Sequence, residues 1–234
     1  MSILNKIKTT KLSLKVLKDG NALLKSHDTG AKDFDDQWLV RSHDMVYSFP
    51  ITVRAIMKGQ DKFLIHTSNK VQVFYGLQGE YFNREYCESN NIPMTPFPTQ
   101  GGAVIFSHGD LAMSFITKNT GYLYNWLGYI RPKIVEYIQR YGVDCVTLQN
   151  NDILCGGKKI SGASTTVKRG VTLESLFIAA NNNQEFVDGI GHKDSQRQVC
   201  GLTDFGIDPQ EFAEWLINET EEFYKASKQK QQPK

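Results

Sequence analysis

No apolar run in this 234-residue chain approaches the roughly 20 residues that a bilayer-spanning helix needs, and its mean hydropathy is −0.38, so no membrane partner is expected. Charge of one sign is missing too. The 27 Lys+Arg residues against 25 Asp+Glu leave only +2, and part of that excess lies beyond Lys225, so no basic face for nucleic acid is implied. Cysteine is scarce: Cys87, Cys145, Cys155 and Cys200 show no CxxC spacing, which argues against both a zinc site and a disulfide framework. The opening MSILNKIKTTKLSLKVLKDG alternates lysines with apolar residues and has neither a continuous apolar core nor a small-residue cleavage site. It does not read as a secretory signal, and a reducing cytoplasm is the expected location. No repeats occur. What is present, 40% hydrophobic and 22% charged residues, suits one well-buried globular domain.

Residues 1–35 are a lysine-rich segment of unassigned role, with a turn at Asp19-Gly20 and an acidic loop at Asp33 to Asp36. The domain proper is expected over 36–224, followed by a disordered polar tail at 225–234. From Trp38 the pattern firms up through Val40, Met45 and Tyr47, breaks at Pro50, and resumes at Ile51 and Val53. KFLIHT (62–67) and VQVFY (71–75) read as strands separated by Ser68-Asn69. Tyr81, Phe82, Tyr86 and Cys87 have near-helical spacing, with a stop at Asn90-Asn91. Ile92 to Pro98 is extended because its prolines exclude helix. Tyr122 to Tyr141 is an amphipathic helix strained by Pro132 and stopped by Gly142; Val143 to Leu148 reads as a buried strand. Val171 to Ala180 is another apolar strand, and 184–198 a polar, mobile loop. Asp208-Pro209-Gln210-Glu211 announces a last helix whose apolar face is Phe212, Trp215, Leu216 and Phe223. Strands outnumber helices and alternate with them irregularly, so the fold class is α+β around a mixed or antiparallel sheet.

Two Gly-Gly segments carry the chemical interest. In QNNDILCGGKKISGASTTVKR (149–169) a short strand meets Gly156-Gly157 and a second strand opens on Lys158-Lys159, which makes a hairpin. The small residues Ser161, Gly162, Ala163 and Ser164 leave room for a ligand beside Lys159, although an ordinary hairpin with two solvated lysines would look the same. In TQGGAVIFSHGDLAMSFIT (99–117), Gly101 and Gly102 lead directly into a strand through Ala103 and Val104, and could admit a ligand close to the backbone or form a simple bend. His108 could serve as a base or phosphate donor there, or be merely solvated.

Taken in order, FLIHTSNKVQVFYGLQGEYFNREYCESNNIP, TQGGAVIFSHGDLAMSF, YGVDCVTLQNNDILCGGKKISGAS and QVCGLTDFGIDPQEF are similar to the lipoate–protein ligase, octanoyltransferase and biotin–protein ligase superfamily. The Asn-Asp followed by Gly-Lys-Lys-Ile-Ser-Gly-Ala is the most specific of these matches. The resemblance implies a biotin/lipoate ligase-like mixed β-sheet flanked by helices. It also implies an enzyme that places a lipoyl- or octanoyl-type group on a lysine of an acceptor protein resembling a lipoyl domain, with ATP and Mg forming an acyl-adenylate. By that resemblance Lys159 is the catalytic ammonium, facing the carboxylate and then the oxyanion. Asn151 and Asp152 lie where ligases meet nucleotide and magnesium, and Gly101, Gly102, Ala103, Val104, His108, Ser161, Gly162 and Ala163 belong to the acyl and nucleotide site.

The chain departs from the pattern in ways that bear on chemistry. Ligases place arginines just before Gly-Gly, whereas here the stretch is Pro96-Phe97-Pro98-Thr99-Gln100, and lost guanidinium contacts to phosphate are not replaced by lysine elsewhere. Phe106-Ser107 stand where His-Asp is usual, and Asn150 where an arginine often precedes Asn-Asp. A thioester-dependent transferase needs no ATP, and its cysteine nucleophile resembles Cys200-Gly201. Aligning Leu202 and Phe205-Gly206-Ile207 with the closing strand instead puts His192 at that position, the preferred register, with Cys155 a third candidate. A non-catalytic binding protein of the same fold is the alternative from a different class.

Overall fold

The computed structural model describes residues 33, 35–42, 48–76, 82–97, 102–118, 125–149, 151–168, 170–191 and 198–229. Residues 1–32 and 34 of the lysine-rich segment, with its Asp19-Gly20 turn, lie outside them. Among the described residues ten strands form two sheets. The larger contains β1 (Leu39–Ser42), β2 (Lys62–Thr67), β6 (Leu111–Lys118), β7 (Cys145–Thr147), β8 (Ile153–Cys155), β9 (Lys158–Lys168) and β10 (Val171–Ile178), in the order β1-β2-β6-β10-β9-β8-β7. The smaller has β3 (Gln72–Tyr75) between β4 (Met94–Pro96) and β5 (Ala103–Phe106). The pairs β1–β2 and β3–β4 are parallel and the others antiparallel, so the sheets are mixed, as the α+β reading requires.

Among the described residues five α-helices cover the sheets: α1 (Ser48–Lys58), α2 (Arg84–Ser89), α3 (Trp126–Gln139), α4 (Gln184–Ile190) and α5 (Pro209–Gln229). Strand β2 shows why the large sheet sits between layers. Phe63 and Ile65 join the core with Trp126, Ile130, Ile134 and Ile138 of α3 and Phe212, Leu216 and Ile217 of α5. Leu64 points the other way, to Ile51, Ala55 and Ile56 of α1 and to Phe74 and Phe106 of the small sheet. A strand apolar on both faces must be covered on both. Removing each of the three α3 isoleucines from water contributes about 1.5–3 kcal/mol. Trp126 fixes the pair of helices further, donating from Nε1 to Thr220 Oγ1 at 3.0 Å while its ring meets Phe63 and Phe115.

Several local expectations change. Pro50 does not break the chain; it occupies the first turn of α1, where a missing N–H costs nothing. Strand β7 is an edge, not a buried strand, with Val146 48% exposed and Cys145 alone of its three residues buried. Residues 184–190 of the expected loop form α4. The expected disordered tail is helical through Gln229, because α5 continues and Lys228 Nζ meets Asp61 at 2.6 Å. The cysteine reading also fails in one pair: Cys145 and Cys155 stand opposite each other in β7 and β8 and form a disulfide. Ten residues of sequence separation do not reveal that register.

Candidate active site

The Gly156-Gly157 hairpin forms as its sequence demands. Both glycines have positive φ, 56° and 78°, and Cys155 pairs with Lys158 across them, which is the two-residue turn that only residues tolerant of left-handed backbone accept readily. Just beyond the turn, pairing shifts: Ile153 faces Ser161 while Leu154 faces Lys159, so Ile160 is an extra residue in β9. A bulge of this kind breaks the alternation of side chains. Lys159 and Gly162, three apart and on opposite faces of a regular strand, consequently line one cavity.

That cavity, about 210 Å³, lies between the two sheets. Its room comes from small side chains in register. Ala112, Phe177 and Gly162 form one row across β6, β10 and β9, and Ser114, Ser175 and Ser164 form the next. Only Phe177 is large, and Phe106 packs edge-on against it at 4.9 Å. Phe106 also meets Phe74, which stacks on Phe97, giving an aromatic wall from the small sheet. Gly102, Ala103 and Val104 line the same space.

Among the described lining residues Lys159 is the sole cation and Asp152 the sole anion, and they meet at 2.9 Å. Asp152 is well buried, its side chain 8% exposed, whereas Lys159 is 31% exposed. The ammonium is therefore held from the protein side and open toward the cavity. Gly162 is pressed against the pair: a Cβ there would lie 3.3 Å from Lys159 Nζ and 3.4 Å from Asp152 Oδ1. The backbone of Lys159 is fixed as well, donating to Gln198 and accepting from Cys200.

The other candidates divide clearly. Asn151 does not line the cavity; its backbone turns with φ 71° and its Oδ1 accepts a hydrogen bond from Arg131 at 2.6 Å. Ser161 is fully buried on the strand and its Oγ finds no partner among the described residues. His108 sits exposed in the β5–β6 turn, where its carbonyl accepts from Asn181, and it is not among the described lining of the cavity. Gly101 and His192 lie outside the described residues. Cys200 is corrected as a nucleophile: it is 1% exposed, faces the carbonyls of Cys155 and Lys158, and burial pushes its thiol up to about 11, whereas a nucleophile must be a thiolate. Cys155 is consumed by the disulfide.

Sequence reasoning missed Asp110. It is fully buried and accepts from Ser107 N, Ser107 Oγ and Ala180 N, tying the β5–β6 turn to the end of β10. The same reasoning named Ser164 but missed the rest of the serine row, because Ser114 in β6 and Ser175 in β10 carry no local signal.

Among the described residues no group of three His, Cys, Asp or Glu could hold a metal; Asp152, assigned to Mg by resemblance, pairs through Oδ1 with Lys159. Lys159 is the one ammonium among the described lining residues, and a fixed ammonium suits a carboxylate or a developing oxyanion.

Comparison with known proteins places the chain among lipoate ligase-like sequences and folds. The chain is 26% identical over 173 residues to lipoate–protein ligase 1 of Staphylococcus aureus (strain Mu50 / ATCC 700699), covering 68% of this chain and 53% of that protein. It is 24% identical over 161 residues to the lipoate-protein ligase LplJ of Bacillus subtilis (strain 168), covering 62% and 48%. It thus spans about half the length of these curated relatives. The crystal structure of lipoate-protein ligase A bound with ATP superposes with a TM-score of 0.66 at 21% identity, covering 80% of this chain and 84% of that one. The bi-partite lipoate protein ligase of Thermoplasma acidophilum, studied with its E2 lipoyl domain, gives 0.63 at 18%, covering 80% and 82%. At those identities the likeness is one of fold. The family model for the lipoyl protein ligase A/B catalytic domain matches residues 52–221, most of the chain, and the chain belongs to that family.

Proposed function

We propose that this chain transfers a lipoyl- or octanoyl-type acyl group to the ε-amine of a lysine on an acceptor protein built like a lipoyl domain. The observation that carries the reading is the Lys159 ammonium, buttressed by Asp152, at an otherwise apolar and hydroxyl-lined cavity narrow enough for a linear acyl chain. When the acceptor amine attacks the acyl carbonyl, a C–N bond forms and negative charge develops on the carbonyl oxygen. Lys159 neutralises that charge from a fixed position, without reorganisation at the moment of reaction. The bond to the leaving group then breaks, and the departing group takes the proton the amine gives up.

An acyl-adenylate and an acyl thioester present the same carbonyl to Lys159. The relatives named as lipoate–protein ligases favour the adenylate, which ATP would supply; the single cation among the described lining residues favours a donor activated beforehand. The test is the intact mass of an apo lipoyl domain after incubation with the chain and lipoate or octanoate plus ATP and Mg, run beside an octanoyl thioester. A mass gain with the free acids assigns the adenylating route, and pyrophosphate exchange should accompany it. A gain with the thioester alone assigns the ATP-independent route. Lys159→Ala should abolish either while leaving the fold intact. No gain with any donor overturns the reading in favour of a binding protein.

A further inference from the structure

Arg131 belongs to no motif of the sequence, yet it reaches the one turn on which the lysine–aspartate pair depends. It projects from α3 one residue before Pro132, which cannot donate to the Gly128 carbonyl and so loosens the helical ladder there. In that turn Arg131 Nε donates to the Leu127 carbonyl at 3.0 Å, which fixes the guanidinium, and Nη1 donates to Asn151 Oδ1 at 2.6 Å. The helix itself is anchored at its N-terminus by the buried Glu174, whose carboxylate accepts from Trp126 N at 2.9 Å and Leu127 N at 3.3 Å. The guanidinium is thus referenced to the large sheet through β10.

The partner, Asn151, has a left-handed backbone that costs less for asparagine than for most residues but is not free. Its N–H donates to the Leu148 carbonyl, and Leu148 N–H donates to the Asp152 carbonyl at 2.8 Å, closing a tight loop between β7 and β8. Asp152 is the next residue, and its Oδ1 meets Lys159. Rotation of the Asn151 turn moves Asp152 directly.

We infer that Arg131 is a positioning residue for the Asp152–Lys159 pair, acting through the side chain of Asn151. This rests on the transfer reading for its kinetic consequence, though not for its geometric one. Removing the guanidinium releases Asn151, lets Asp152 drift from Lys159, and slows the acyl step while the apolar slot still binds its donor.

The experiment uses Arg131→Met, Asn151→Gly, which keeps left-handed backbone easy but removes the acceptor, and Asp152→Asn. Two measurements are made on each full chain. The first is the rate at which an amine-acylating reagent labels Lys159, read by peptide mass spectrometry with neighbouring Lys158 as the internal control. Labelling of Lys159 relative to Lys158 should rise several-fold in all three variants, because the ion pair no longer shields the amine. The second is acyl transfer, where kcat should fall about tenfold with KM for the acyl donor changed less than twofold, and Arg131→Met should add nothing in the Asp152→Asn background. Unchanged relative labelling in Arg131→Met, or an effect additive to Asp152→Asn, overturns the proposal. If the wild-type chain transfers nothing, the transfer reading fails while the labelling ratio still decides the role of Arg131.

Discussion

Gly162→Ala separates catalysis from folding more sharply than any lysine substitution. Gly162 lies in β9 with ordinary extended backbone, so alanine is conformationally acceptable there, and replacing a strand glycine gains roughly 0.5–1 kcal/mol of chain entropy. Against this stands one close approach. The new Cβ would lie 3.3 Å from Lys159 Nζ and 3.4 Å from both Lys159 Cε and Asp152 Oδ1. The lysine end is flexible and 31% exposed, so it gives way by a few tenths of an ångström, and the two effects on stability nearly cancel. Catalysis does not enjoy the same tolerance. An ammonium meant to meet an oxyanion loses most of its value when displaced by a fraction of an ångström to an ångström, and such errors cost up to about 100-fold. The expectation is a melting temperature close to wild type with kcat/KM for transfer to the apo acceptor down about 10- to 100-fold, or roughly 1.4–2.7 kcal/mol. Transfer at the wild-type rate would show that Lys159 Nζ is not poised where the pair places it. Loss of folding along with activity would show that the strand, not the lysine, needs the glycine.

Two further expectations concern stability. Burial raises the Asp110 carboxyl from its ordinary 3.8 to about 6, despite the N–H groups of Ser107 and Ala180 that favour the anion. The folded chain therefore holds that proton more tightly than the unfolded one. The contribution is full below pH 4 and lost as pH rises through about 6, on the order of 3 kcal/mol. Denaturant titrations at several pH values should show this loss in the wild type but not in Asp110→Asn, and parallel pH profiles would refute it. The Cys145–Cys155 disulfide closes a loop of 10 residues around the Asn151-Asp152 turn, which by loop entropy is worth about 2.5–3 kcal/mol. Reductant, or Cys145→Ser, should lower the melting temperature by roughly 5–10 °C. An unshifted transition would mean the bridge contributes nothing to stability.

What the sequence alone determined is local. Gly156-Gly157 between two β-compatible runs permits little but a tight hairpin, the 3.6-residue spacing from Trp126 to Ile138 permits little but a helix, and Asp208-Pro209 opens another. Lys159 and Asp152, both named in the sequence, lie on the two sides of that one hairpin, so short-range pairing brings them together.

Only the tertiary structure decided the rest. The cavity exists because Ala112, Ser114 and Ser175, unremarked in their own strands, fall into register with Gly162 and Ser164 of β9. Lys159 faces it because of a bulge, which depends on how β8 and β9 pair rather than on either sequence. Arg131 reaches Asn151 across 20 residues, and Cys145 meets Cys155 across a hairpin. Cys200, whose neighbouring glycine suggested a nucleophile, is buried behind the strand that carries Lys159. Local pattern fixes what each segment becomes; long-range pairing, in which a shift of one residue reverses every side chain, fixes what those segments face.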